Sequence, residues 1–172
     1  GAIHMALRRK VDDIVKIIHG LKNSNCKDIY DISVGLIKSV SNSVVVPLTY
    51  SINQCLITGI FPELLKVAKT IAIYKKGPIS IVPIFFKILE TVMKNQLTEY
   101  FETNSLFTNA QYGFRKILCD LSKAFDSLFH TVIINKLQYY GVKDIALDLL
   151  KSYLSNRSRK VYYNGKFSKS LI

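Results

Sequence analysis

The chain has no tryptophan, only three cysteines, and half as many acidic residues as basic ones: 12 Asp and Glu against 24 Lys and Arg. Cys26, Cys55 and Cys119 are odd in number and far apart. They supply neither a metal-binding pair nor a disulfide framework, which favours a reducing, intracellular setting, nucleus or cytoplasm. No apolar run approaches the ~18 residues of a membrane span, so no membrane partner is expected. The glycines form no phosphate-binding loop, and no Ser/His/Asp or Cys/His grouping suggests nucleophilic catalysis. There is no internal repeat and no low-complexity tract.

What is present fits a folded chain. The 172 residues suit one domain, or one domain plus an extension. Hydrophobic residues make up 49% and charged residues 21%, which argues against wholesale disorder. Ten Tyr and nine Phe can furnish a core. The net charge is +12, and Lys151, Arg157, Arg159, Lys160, Lys166 and Lys169 follow the last acid, Asp148. Such a stripe attracts phosphate and displaces counterions from nucleic acid. It is equally what a solvated, solubilising surface looks like. Gly1 to Ala6 read as the scar of a cleaved tag, so His4 is left aside.

Periodicity predicts the elements. Leu7, Val11, Ile14, Val15 and Ile18 recur at helical spacing over residues 7–19, and Gly20 ends that helix. A second helix is expected near Asp31, with Asp31 and Ser33 as cap candidates. Pro47 predicts a boundary and the first turn of a third helix, which Gly59 stops. Phe61-Pro62-Glu63 opens a short further turn. Residues 66–76 alternate β-branched and small side chains and predict a strand. Residues 83–103 predict a long helix with Phe86, Leu89, Met93 and Leu97 on its core face, extended by Tyr100 and Phe101. Residues 117–121 predict a short buried strand, followed by helices over 122–140 and 143–155 separated by Gly141. Asn164-Gly165 signals a hairpin within 159–172, because this pair accepts the positive φ angles of a tight turn.

Asp120 stands out on physical grounds alone. It leaves an apolar strand at its C-terminal end, where an ionised carboxylate is costly unless paired or bound to metal. Spacing by itself favours a helix cap for the segment beginning near Ser122. Asp126 and His130 stand at i, i+4, a spacing that suits a structural hydrogen bond better than catalysis. Asp12, Asp13, Asp144 and Asp148 read as solvated helix faces.

Several motifs together carry a resemblance. Asp120-Leu121-Ser122-Lys123-Ala124-Phe125-Asp126 is followed by His130, Lys136-Leu137, Tyr140-Gly141 and Lys151-Ser152-Tyr153-Leu154-Ser155-Asn156-Arg157. Upstream stand Gly59-Ile60-Phe61-Pro62, Lys66, Ala68 and Ile73-Tyr74-Lys75-Lys76-Gly77. Pro78-Ile79-Ser80, Lys87-Ile88-Leu89-Glu90 and Gln111-Tyr112-Gly113-Phe114-Arg115 complete the set. In this order, from about residue 31 to 172, they resemble reverse transcriptases of non-LTR retrotransposons.

The resemblance implies an α+β fold, the fingers and partial palm of a right-hand polymerase, helix-rich with short antiparallel strands. It implies an N-terminal helical extension over 7–66, fingers over 67–116 and partial palm over 117–172. The family copies RNA into DNA with two metal ions, magnesium in the complete enzyme, from an RNA template, a DNA primer and deoxynucleoside triphosphates. By resemblance Asp120 is the catalytic, metal-binding aspartate, and Leu121 offers the metal its backbone carbonyl. Phe125 packs against the nucleotide sugar; Lys75, Lys76 and Arg115 approach the triphosphate. Arg157, Arg159 and Lys160 are expected to contact nucleic acid.

Three departures shape the expectation. The paired aspartates of the family's next palm motif do not occur in the chain, so this chain alone is expected not to polymerise. Gly77 abuts Pro78, and Lys116 abuts Ile117, where family members carry longer segments and an arginine for the triphosphate. A palm cut before its central hairpin would expose sheet edges and favour self-association. A non-catalytic RNA-binding remnant and a partner-binding module remain the alternatives.

Overall fold

The computed structural model describes residues 8–73, 77–106, 130–163 and 166–168. Helix α1 spans Val11–Gly20, with Ile14 and Ile18 fully buried one turn apart. It starts later than the expected residue 7, because Lys10 is extended and donates its N–H to the Asp13 carboxylate at 3.2 Å. That bond closes the first turn, where Asp12 and Asp13 also suit the helix dipole. Helix α2, Val34–Ser39, is capped by Ser33, whose hydroxyl accepts the Leu36 N–H at 3.2 Å. Asp31 lies in the left-handed region and does not cap.

Helix α3 runs Ser41–Thr58, straight past the boundary expected at Pro47. The break falls at Val40 instead. Val45, Thr49, Ile52 and Leu56 form a continuous buried stripe, while Pro47 and Ser43 face solvent. Water can therefore serve the Ser43 carbonyl that proline leaves without a helical donor. Gly59 ends α3 at φ +68, its N–H returning to the Cys55 carbonyl at 3.0 Å. A 3₁₀ turn, Glu63–Lys66, leads into strand β1, Val67–Ile73. Strand β2, Gly77–Ile81, runs unbroken through the Gly77–Pro78 joint, and helix α4 covers Ile84–Thr103. Helices α5, His130–Tyr139, and α6, Asp144–Leu154, flank Gly141 at φ +92. Strands β3, Ser158–Tyr163, and β4, Lys166–Phe167, bracket Asn164-Gly165 in two-residue-hairpin register, with Tyr163 opposite Lys166.

The fold is α+β: helix-rich, with one small mixed sheet in the order β2-β1-β3-β4. Both outer pairings are antiparallel, as expected. The central one departs from expectation: β1 and β3 are parallel, with Val67 opposite Ser158 and Ile71 opposite Tyr162. The reason lies just upstream of each strand. The Phe61 N–H donates to the Ser152 hydroxyl at 2.9 Å, so the two chain segments that feed β1 and β3 enter the sheet side by side and head the same way.

The core belongs to the helices. Ile14, Ile52, Leu56, Phe86, Met93, Leu97, Phe101, Leu137, Leu150 and Tyr153 join one buried cluster, and Phe61 completes it. Asp28 is fully buried at its edge. One carboxylate oxygen accepts the N–H groups of Tyr30 and Ile32 at 2.8 and 3.0 Å; the other accepts that of Ile84, the first residue of α4, at 2.9 Å. This loop acid fastens the segment before α2 to the start of α4.

Candidate nucleic-acid interface and the network behind it

Of the residues singled out from sequence, Asp120, Leu121, Phe125, Arg115, Lys75 and Lys76 lie outside the described residues, as does Asp126. Arg157, Arg159 and Lys160 are described, and the structure separates them. Arg159 is exposed, while Arg157 and Lys160 are half-buried. Successive strand residues face opposite sides, so Arg159 and Lys160 do not share a surface.

Lys160 sits beside Lys69 in the parallel ladder, and Tyr162 beside Ile71. Tyr162 in turn pairs with Phe167 on β4. One face of the sheet thus gathers Lys69, Lys160, Tyr162 and Phe167. The Lys69 ammonium stands 4.3 Å from the Tyr162 ring centre and 5.8 Å from that of Phe167. The two rings lie 4.9 Å apart, tilted by 54°. Lys69 is itself buried, so Lys160 beside Tyr162 and Phe167 is what this face offers a sugar–phosphate backbone and its bases. Sequence reasoning missed Lys69, Tyr162 and Phe167. The signal was available in the alternation of Lys160 and Tyr162 and in the expected hairpin that pairs Tyr162 with Phe167, but the parallel partner of β3 was not.

Arg157 belongs to a different assembly, built at the junction of helices and sheet. Phe86 and Glu90 stand one turn apart on the same side of α4. Tyr153 is in the last turn of α6; Asn156, at φ +55, then turns the chain so that Arg157 comes back over it. Phe61 meets Phe86 and Tyr153 edge-on, each at 5.2 Å, while Phe86 and Tyr153 stack at 5.5 Å. The Arg157 guanidinium lies 4.5 Å from the Phe86 ring centre and 5.5 Å from that of Tyr153. The Tyr153 hydroxyl donates a short hydrogen bond to Glu90 and is itself hydrogen-bonded by Arg157.

Burial governs the electrostatics here. It pushes the Glu90 carboxyl above its ordinary range, against the hydrogen bond from Tyr153 and the charges of Arg157, Lys94 and Lys87. It pushes the Tyr153 phenol far up, helped by the Glu90 charge. It lowers Arg157, which Tyr153 and Glu90 partly restore and Arg159 lowers further. The arrangement is a cation laid on aromatic faces and linked through a phenol to a carboxylate.

Among the described residues, no three His, Cys, Asp or Glu side chains gather into a metal-sized cluster, and no helix is long and apolar enough to cross a membrane. Set against known proteins, the chain matches no family model and no curated sequence.

Proposed function

We propose that the chain is the fingers and partial palm of a reverse transcriptase of the non-LTR retrotransposon type, an enzyme that copies RNA into DNA. One observation carries the proposal: the linked motifs occur in order from about residue 31 to 172. Three of them also pack against one another in the fold. Phe61 comes from Gly59-Ile60-Phe61-Pro62, Glu90 from Lys87-Ile88-Leu89-Glu90, and Ser152, Tyr153 and Arg157 from the run 151–157. Mutual packing supports treating them as one inherited set rather than as chance matches.

In this proposal Asp120 and the Leu121 carbonyl hold magnesium, which activates the primer hydroxyl and stabilises the departing pyrophosphate when bound. Lys75, Lys76 and Arg115 approach the triphosphate of the incoming nucleotide, and Phe125 packs on its sugar. Arg159 and Lys160 contribute positive charge toward template or primer phosphates. Asp120 alone supplies too little carboxylate for a two-metal site, so the chain by itself binds nucleic acid without extending a primer.

Primer extension on an RNA template tests the assignment. Asp120→Ala in the complete enzyme abolishes synthesis and leaves RNA binding largely intact; comparable synthesis by that variant overturns it. A second reading, an RNA-binding module without chemistry, is favoured by the Lys160, Tyr162 and Phe167 face, with Lys69 buried beside it. Full activity in the complete enzyme excludes it.

A further inference from the structure

Phe61, Glu90, Tyr153 and Arg157 belong to the motifs yet have no part in the proposed chemistry. They meet where the chain leaves α6 and enters β3, the strand that carries Arg159 and Lys160. We propose that Arg157 is a positioning residue: stacked on Phe86 and linked through Tyr153 to Glu90, it ties the start of β3 to α4 and so fixes how the basic sheet face is presented, without itself touching a ligand.

The chemistry suits arginine. A planar guanidinium can lie on a ring while its edge donates hydrogen bonds, which a lysine ammonium cannot do in the same place. To reach a phosphate, Arg157 would have to quit Phe86 and Tyr153 and take its positive charge away from the half-buried Glu90. The remaining charged group acting on Arg157 is Arg159 on β3, while Lys87 and Lys94 on α4 act on Glu90. All three are cations, so Glu90 is the single acid acting on Arg157 among these groups. A half-buried arginine held on rings and linked through a phenol to an acid fixes geometry more than it adds net stability. β3 needs such a device, since its pairing partner β1 is remote in sequence and its other neighbour, β4, has two residues.

The consequence for binding rests on the proposed nucleic-acid role; the tie itself does not. The experiment therefore reads both in the intact chain, with Arg157→Met and Glu90→Gln. The first readout is amide hydrogen exchange along the β1–β3 ladder without ligand. The second is affinity for a 15-nucleotide oligo(U) RNA across a salt series. Both variants are expected to speed ladder exchange tenfold or more while the buried amides of α4 and α6 keep their protection. Both weaken oligo(U) binding several-fold with an unchanged salt slope. Unchanged ladder exchange overturns the proposal. So does a salt slope reduced by about one in Arg157→Met together with tighter binding in Glu90→Gln, the pattern of a direct phosphate ligand freed from a competing acid. Faster ladder exchange in a chain that does not bind oligo(U) at all upholds the tie and rejects the nucleic-acid role instead.

Discussion

The helical body and the four-stranded sheet are built on different terms. In the helices, large apolar side chains such as Ile14, Phe86, Met93, Leu97 and Phe101 are wholly shielded and interlock across elements. In the sheet, only Ala68, Lys69 and Thr70 are buried among the described side chains, and two of those three are polar. Thr70 meets Ser80 across the strands, and Lys69 rests on Tyr162. Burial of apolar area, at roughly 25 cal/mol per Å², therefore stabilises one region far more than the other. The sheet depends on its ladders and on where the helices hold its ends. The seam between the two regions is the aromatic group around Phe61.

Substitution at the seam should break that contrast. Phe61→Ala removes a ring that touches both Phe86 and Tyr153, and about 3–5 kcal/mol of stability should go with it in denaturant unfolding. Sheet and helix signals should fall together; a sheet that survives unaltered would show that the seam does not couple them. Asp28→Ala leaves three backbone N–H groups without their acceptor and should cost about 2–4 kcal/mol. Its damage belongs to the helical body, so the β1–β3 ladder should keep its exchange protection up to global unfolding. Gly59→Ala forces a left-handed backbone on a Cβ that would stand 3.0 Å from the Ile145 carbonyl oxygen. A loss of about 1–2 kcal/mol is expected by the same unfolding assay.

Two smaller effects sharpen the contrast from the sheet side. Lys69→Met keeps the stem and removes the cation over Tyr162, and stability should change by no more than about 1 kcal/mol. The pH dependence of Glu90 runs opposite to that of a salt-bridged surface acid. Its carboxyl is raised in the fold, so the folded chain holds that proton more readily than the unfolded one. The resulting stability is present below the ordinary value of 4.5 and is lost as pH rises through the raised folded value. Relative to the unsubstituted chain, Glu90→Gln should therefore gain stability as pH rises from 4 to 7, on top of whatever the loosened β1–β3 ladder costs it. Melting temperatures between pH 4 and 7 check the sign.

Local signals were legible wherever one residue type dictates one backbone state. Gly59 and Gly141 end or separate helices at positive φ, Ser33 caps, and Tyr163 pairs with Lys166 in the hairpin expected there. The apolar face of α4 followed its period from Phe86 to Phe101. Features that depend on distant partners were not legible. Pro47 reads as a breaker until the buried stripe of α3 is seen to lie on the opposite side. Asp28 looks like one more polar loop residue until α4 brings the Ile84 N–H to it. Arg157 reads as part of a basic run, and only the approach of α4 turns it toward Phe86. The residues proposed for chemistry, Asp120 and Leu121 foremost, lie outside the described residues, so that part of the site rests on the ordered motifs.

The side-by-side entry of β1 and β3 has a consequence for synthesis. Phe61 and Ser152, which bring the two strands together, are 91 positions apart. At ~5–20 residues per second on the ribosome, the β1–β2 hairpin would wait roughly 5–20 s for its second neighbour. For that interval one side of β1 offers unpaired N–H and C=O groups to any passing strand. The nascent chain must be shielded there, or crowded copies will cross-pair before β3 emerges.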